Sequence, residues 1–245
     1  MTGLVRENID RWFDINLDVD NRTLYMGSMD NDIESGESGV DSSMAEYFIK
    51  GMHVLESKGD KPITIIMNNP GGDWYHGMAI YDTINNSKCH CTIKVYGHAM
   101  SMGSIILQAA DVRIMMPNSR FMIHYGYDGR YGHAKIFEKW AEECKRLNHD
   151  METLYLDKIM LKEKEVGIPV MTKTFEGVVK KMREFDQLLN QEEEIKYTFS
   201  KKMVVRRGEY RNILKEMLNF DTILNPQDTI SLGLADEIYD PTKIK

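Results

Sequence analysis

Cysteine is scarce in this sequence. Cys89, Cys91 and Cys144 are the only three, too few and too odd in number for a disulfide framework, so a reduced protein is expected. Long apolar runs are missing too: no stretch approaches the roughly 18 residues that a membrane-spanning helix needs. The opening segment, MTGLVRENIDRWFDINLDVDNR, is charged throughout and contains no apolar core of the kind a secretion signal requires. Cytoplasmic residence without a membrane partner is the resulting expectation. Positive charge is not in excess either. Lys and Arg number 31 against 38 Asp and Glu, a formal net charge of -7. Nucleic-acid binding relies on clustered Lys and Arg to neutralise phosphates, so no nucleic-acid partner is expected. There is no GxxxxGK[ST] loop to hold nucleotide phosphates. His90 lies between Cys89 and Cys91, but no second ligand pair stands at zinc-like spacing, which argues against metal.

What is present suffices for a sizeable core. The 245 residues are 42% hydrophobic, and the length fits one domain of ordinary-to-large size or one domain carrying an insertion. Residues 1–20 read as an N-terminal arm, mobile or partner-dependent, with Trp12, Phe13 and Ile15 available for docking. A short strand over Thr23–Gly27 precedes an acidic, Gly- and Ser-rich loop. Ser42 or Ser43 is placed to cap a helix over 44–57, with Phe48, Met52 and Leu55 on one face. ITIIM (63–67) has the continuous apolar character of a buried strand, and the NNPGG turn after it leads to a helix near 75–85. TIKVYG (92–97), VRIMM (112–116) and RFMIH (120–124) read as further strands, with an apolar helix after the first. Strands and helices alternating at this spacing predict stacked βαβ units and a largely parallel sheet. A long helix follows Gly132 and extends to about Met160, with Phe137, Trp140, Cys144, Leu147, Met151 and Leu154 in one stripe. That stripe is either core or a subunit contact. Residues from about 161 to 207 are Lys- and Glu-rich and weakly helical; NPQDTISLGLADEIYD reads as a capped short helix ended by Gly233, then a strand.

Three places carry chemistry. Ser101 lies between a strand and an apolar helix, where free backbone N–H groups and the helix dipole support developing negative charge. Its alternative role is a plain helix cap. His124 ends a strand and precedes the loop YGYDGRYG, a position from which an imidazole can reach over a sheet edge. His98 beside the same loop reads as structural, while His53, His133 and His149 fall on expected helices. The glycines of NNPGG leave N–H groups unshielded, as an oxyanion hole requires, or simply make a tight turn.

MNNPGGDWYHGMAIYDTI, YGHAMSMG and MPNSRFMIH, in that order, resemble the corresponding blocks of the ClpP peptidases, over about Leu24 to Ile238. The resemblance implies an α/β fold of stacked ββα units in a spiral, the ClpP/crotonase type, with a long protruding handle helix. Residues 21–240 would form the peptidase domain, with 161–207 a mostly helical insertion. Ser101 matches the nucleophile, His124 the general base, and Gly72 and Met102 the residues whose N–H groups form the oxyanion hole. Aligning back from LADEI puts Asp221 at the orienting acid. The implied activity is serine endopeptidase cleavage of peptides or unfolded proteins inside a homo-oligomeric chamber, a heptameric ring, single or doubled. The chain would need no cofactor; ATP would belong to a partner AAA+ unfoldase.

The sequence also departs from the family. Tyr125-Gly126 stands where Gln-Pro is usual, and Asn219-Phe220 where an Asp-Arg pair normally links two rings. Two other readings stay in view: a non-catalytic ring subunit and a specialised processing protease of the same fold. The related crotonases, which act on acyl-CoA thioesters, fit less well because they need no Ser-His pair.

Overall fold

In the computed structural model, residues 3–27, 39–127, 132–167, 170–171 and 207–243 are described. Most of the acidic loop and of the expected insertion lies outside them.

The N-terminal arm is a helix, α1 (Gly3–Ile15), followed by the short antiparallel pair β1 (Leu17–Asp18) and β2 (Thr23–Met26). Trp12 meets Tyr25 edge-on at 6.2 Å, and Ile15 packs on the core, while Phe13 stays exposed. Helix α2 (Ser42–Ser57) buries Phe48, Met52 and Leu55, the face read from the sequence. Its cap is Asp41, not Ser42 or Ser43: the Asp41 carboxylate accepts from Met44 N at 2.8 Å. A carboxylate one residue before the helix satisfies an orphan N–H and suits the positive end of the dipole.

β3 (Ile63–Asn69) leads to α3 (Trp74–Asn85), whose cap Asp73 accepts from His76 N. β4 (Cys91–Met100) and the buried six-residue α4 (Met102–Leu107) follow, then β5 (Val112–Met115) and β6 (Arg120–Ile123). The long helix α5 (Ala134–Val166) is 33 residues and runs past the expected stop at Met160. It ends where Gly167 takes φ +68, a left-handed conformation that closes the helix without a Cβ clash. After α6 (Arg207–Leu218) come β7 (Thr222–Leu224), α7 (Pro226–Ser231) and β8 (Glu237–Ile238).

The sheet runs β1-β2-β3-β4-β5-β8, with β6 on β4 and β7 on β6. All pairings except β1–β2 and β6–β7 are parallel, as the alternating elements predict. Ile63, Ile65, Met67, Ile93 and Val95 are fully buried in the sheet, each contributing roughly 1.5–3 kcal/mol of transfer free energy. The handle helix adds Met151, Tyr155, Leu156 and Ile159 to this core, and no residue before Met151 on it is buried. Among the described residues no helix is long and apolar enough to cross a membrane.

A polar brace closes the C-terminal end. The Arg113 guanidinium donates to both carboxylate oxygens of Asp236, to Gln108 Oε1 at 2.7 Å and to Gly233 O at 2.9 Å. It ties β5, the end of α4 and the segment before β8 together.

Candidate active site

The site begins with an irregularity in β4. Register with β3 shifts between Met67 and Asn69, which pair with Val95 and Ala99. Asn68 fills the resulting bulge: its Oδ1 accepts from His98 N at 3.2 Å, and a Cβ on Gly97 would lie 2.2 Å from that oxygen. The first half of β4, Thr92–Val95, pairs with β5; the second, His98–Met100, pairs with β6. The strand therefore does not stop at Gly97, as its sequence suggests, but runs on to Met100.

Ser101 is the turn residue between β4 and α4, with φ 50 and ψ -123. Its N–H donates to Met122 O of β6 at 3.0 Å. Although it occupies the helix-cap position, its side chain makes no capping bond. The hydroxyl instead lies 2.8 Å from His124 Nε2. On the other side of the ring, His124 Nδ1 is 2.9 Å from Asp221 Oδ1. A carboxylate only accepts, so Nδ1 carries the proton and Nε2 is left to accept from the Ser101 hydroxyl. His124 is 13% exposed and Asp221 58%. The antiparallel β6–β7 pair brings the acid here, since Ile123 faces Thr222 at its end.

The two glycines are placed with the same economy. Val40 N donates to Gly71 O and Asp73 N to Val40 O, a parallel bridge that flanks Gly72. Backbone groups alternate in direction along an extended segment, so the Gly72 N–H points away from Val40. That side is where Gly72 lines a cavity together with Ser101 and His124. Gly71 and Gly72 have φ +112 and +141, which L side chains rarely adopt. Met102 opens α4, so its N–H has no partner within the helix. The geometry thus gathers Ser101, His124, Gly72 and Met102 around one cavity, with Asp221 behind the His124 ring. Gly71 carries no role of its own in the sequence beyond the NNPGG pair, yet a Cβ there would lie 2.5 Å from the Ser101 Cβ. The doubled glycine was its signal.

The cavity measures about 520 Å³ and is walled by Trp74, Met102, Ile105, Trp140, Leu147 and Met151. Much of the α5 stripe therefore faces this space: Trp140, Cys144, Leu147 and Met151 line it, while Phe137 is exposed. Such a recess can accept an apolar side chain beside a reacting carbonyl. The other histidines discussed above lie elsewhere. His53 faces Glu56, His90 faces Asp111, His149 contacts Arg211, and His133 directly precedes α5.

Comparison with known proteins identifies the family and the fold. A family profile, Clp protease, matches residues 25–167. Ser101 and His124 fall inside that match; Asp221 lies beyond it. An ATP-dependent Clp protease proteolytic subunit from Deinococcus radiodurans is 33% identical over 175 residues, 70% of this chain and 79% of the relative. A solved structure of a ClpP1 mutant from Listeria monocytogenes superposes with a TM-score of 0.61, covering 93% of this chain and 96% of the other. At 21% identity that likeness speaks to the fold. The chain belongs to the Clp protease family.

Proposed function

We propose that this chain is a serine endopeptidase that cleaves peptides or unfolded proteins, with Ser101 as nucleophile, His124 as general base and Asp221 as the orienting acid. One observation carries the reading: the unbroken hydrogen-bond chain from Ser101 Oγ through both ring nitrogens of His124 to Asp221. Ser101 Oγ attacks a peptide carbonyl as its proton passes to His124 Nε2. The N–H groups of Gly72 and Met102 bind the oxyanion. Breaking the C–N bond sends that proton to the leaving amine and leaves an ester on Ser101. Water, deprotonated by His124, then hydrolyses the ester and restores the hydroxyl. Asp221 holds the imidazole in its tautomer and stabilises the imidazolium without taking the proton. An extended substrate beside Gly72 presents its backbone to the oxyanion groups.

The reading extends to a cytoplasmic homo-oligomer, a heptameric ring, single or doubled, that encloses the sites. Exposed apolar side chains on α5 and around β7, namely Ile136, Phe137, Phe220 and Ile223, support burial against further copies. A partner unfoldase would supply ATP-driven unfolding; this chain's own chemistry uses no cofactor. The test is labelling of the assembled protein with a fluorophosphonate, followed by peptide mapping and native mass measurement. Ser101 should carry the label, Ser101→Ala should abolish it, and the mass should be a multiple of seven chains. An unlabelled Ser101 in an intact assembly would leave the non-catalytic reading standing.

A further inference from the structure

Two polar side chains on α5 lie buried behind the triad: Glu152, 4% exposed, and Tyr155, 0% exposed. They stand three positions apart and so share one helix face. Burying a carboxylate and a phenol is costly unless both are bonded. Here each set of partners leads back to the triad.

Tyr155 reaches the nucleophile. The Ser104 hydroxyl donates to Ser101 O at 2.5 Å, which leaves Tyr155 OH to donate to Ser104 Oγ at 2.7 Å. Ser104 N also donates to Ser101 O. The carbonyl of the left-handed Ser101 is held by two donors on one residue, and that residue is held by α5.

Glu152 reaches the other two members. One of its oxygens accepts from Tyr125 OH at 2.7 Å and the other from Arg211 Nη1 at 2.7 Å. Tyr125 directly follows His124, and its N–H donates to Leu218 O. Arg211 belongs to α6, which ends at Leu218, three residues before Asp221. Arg211 is fixed further by Thr153 Oγ1 and His149 Nδ1, each at 3.1 Å. Burial, reinforced by the bond to Glu152, pushes the Tyr125 phenol far above its usual value, so it remains a donor. Burial does the same for Tyr155.

We infer that Glu152 and Tyr155 are positioning residues, one turn of α5 that sets the nucleophile through Ser104, the base through Tyr125 and the acid through Arg211. This inference rests on the serine peptidase reading.

The test uses the full chain in its native assembly, a fluorogenic peptide and a fluorophosphonate. Tyr125→Phe and Tyr155→Phe each delete one hydroxyl and keep the ring; Glu152→Gln keeps the shape and removes the charge. Each should lower kcat by about tenfold or more, leave KM within about twofold, and slow Ser101 phosphonylation by the same factor as kcat. Asp157→Asn, which breaks the exposed ion pair with Arg207 between the same two helices, should keep wild-type kcat. A kcat within about twofold of wild type in both Phe variants overturns the inference. So does an Asp157→Asn loss equal to that of Tyr125→Phe, which would reduce the clamp to ordinary helix docking. If Glu152→Gln does not fold, the two Phe variants decide. A wild type that never labels at Ser101 defeats the peptidase reading itself, and this inference falls with it; a labelled wild type with unaltered variants defeats only the inference.

Discussion

Ser101 holds a backbone conformation that non-glycine residues avoid, and its neighbours supply the reason it persists. With φ 50, it carries strain of about 1–3 kcal/mol that surrounding structure must over-determine. The bond to Met122 O on one side and the Ser104 donors on the other do so. No sequence pattern reveals φ for a serine, and for that reason the cap and nucleophile roles could not be separated by spacing alone. The motifs around Ser101 and His124 were legible because each residue directly follows a strand. Asp221 was harder: it lies 97 positions from its ring partner, and only the family resemblance, aligned back from LADEI, pointed to it. Its side chain is also the most exposed of the three, which makes it the natural residue to test. Asp221→Asn can offer an N–H to Nδ1, moving the ring proton to Nε2 and removing the acceptor that Ser101 needs. The variant should lose about 10⁴-fold in kcat with little change in KM, measured by steady-state peptide hydrolysis. A loss under about tenfold would remove Asp221 from the mechanism.

Among the elements, β4 decides where the nucleophile stands. Its apolar core residues were easy to read, but Gly97 looked like the strand's end. It is instead the place where Asn68 enters, a contact between two strands that a one-dimensional pattern does not contain. Gly97→Ala would drive a Cβ into Asn68 Oδ1 and displace the bond to His98 N. We expect about 1–2 kcal/mol of lost stability by urea denaturation. Adding Asn68→Ala should restore part of it, because the clash and the lost bond share one partner. Simple additivity of the two changes would refute this account of the bulge. Helix α5 shows a similar boundary effect. Leu161–Val166 carry the charged composition read as the start of an insertion, yet they continue the helix until Gly167 ends it.

For the molecule as a whole, the α/β alternation gave the parallel sheet, since strand and helix periods differ clearly in the sequence. The Arg113–Asp236 brace that closes it was not visible, because its partners lie 123 positions apart. Burial raises the Asp236 carboxyl, but the hydrogen bonds and charge of Arg113 outweigh it and hold the group below its ordinary 3.8. A carboxyl whose folded value is depressed stabilises the fold above its unfolded value, and that contribution disappears as pH falls through the folded one. Denaturation midpoints should therefore drop below about pH 4, and Asp236→Asn should flatten that part of the curve. An identical acid slope in the variant would show that other carboxyls govern it.

The outer half of α5 has a mechanical consequence. Its first buried residue is Met151, and the helix reaches outward from there to Trp140 on the cavity wall. That lever is about 16 Å long, so a tilt of about 5° about Met151 carries Trp140 through about 1.4 Å. The Tyr75–Glu143 bond braces the arm partway along. A rigid beam anchored at one end turns a small rotation into a sideways step comparable to a carbon–carbon bond. A tilt of that size would change the width of the recess beside Ser101, with the buried turn that begins at Met151 as its fulcrum.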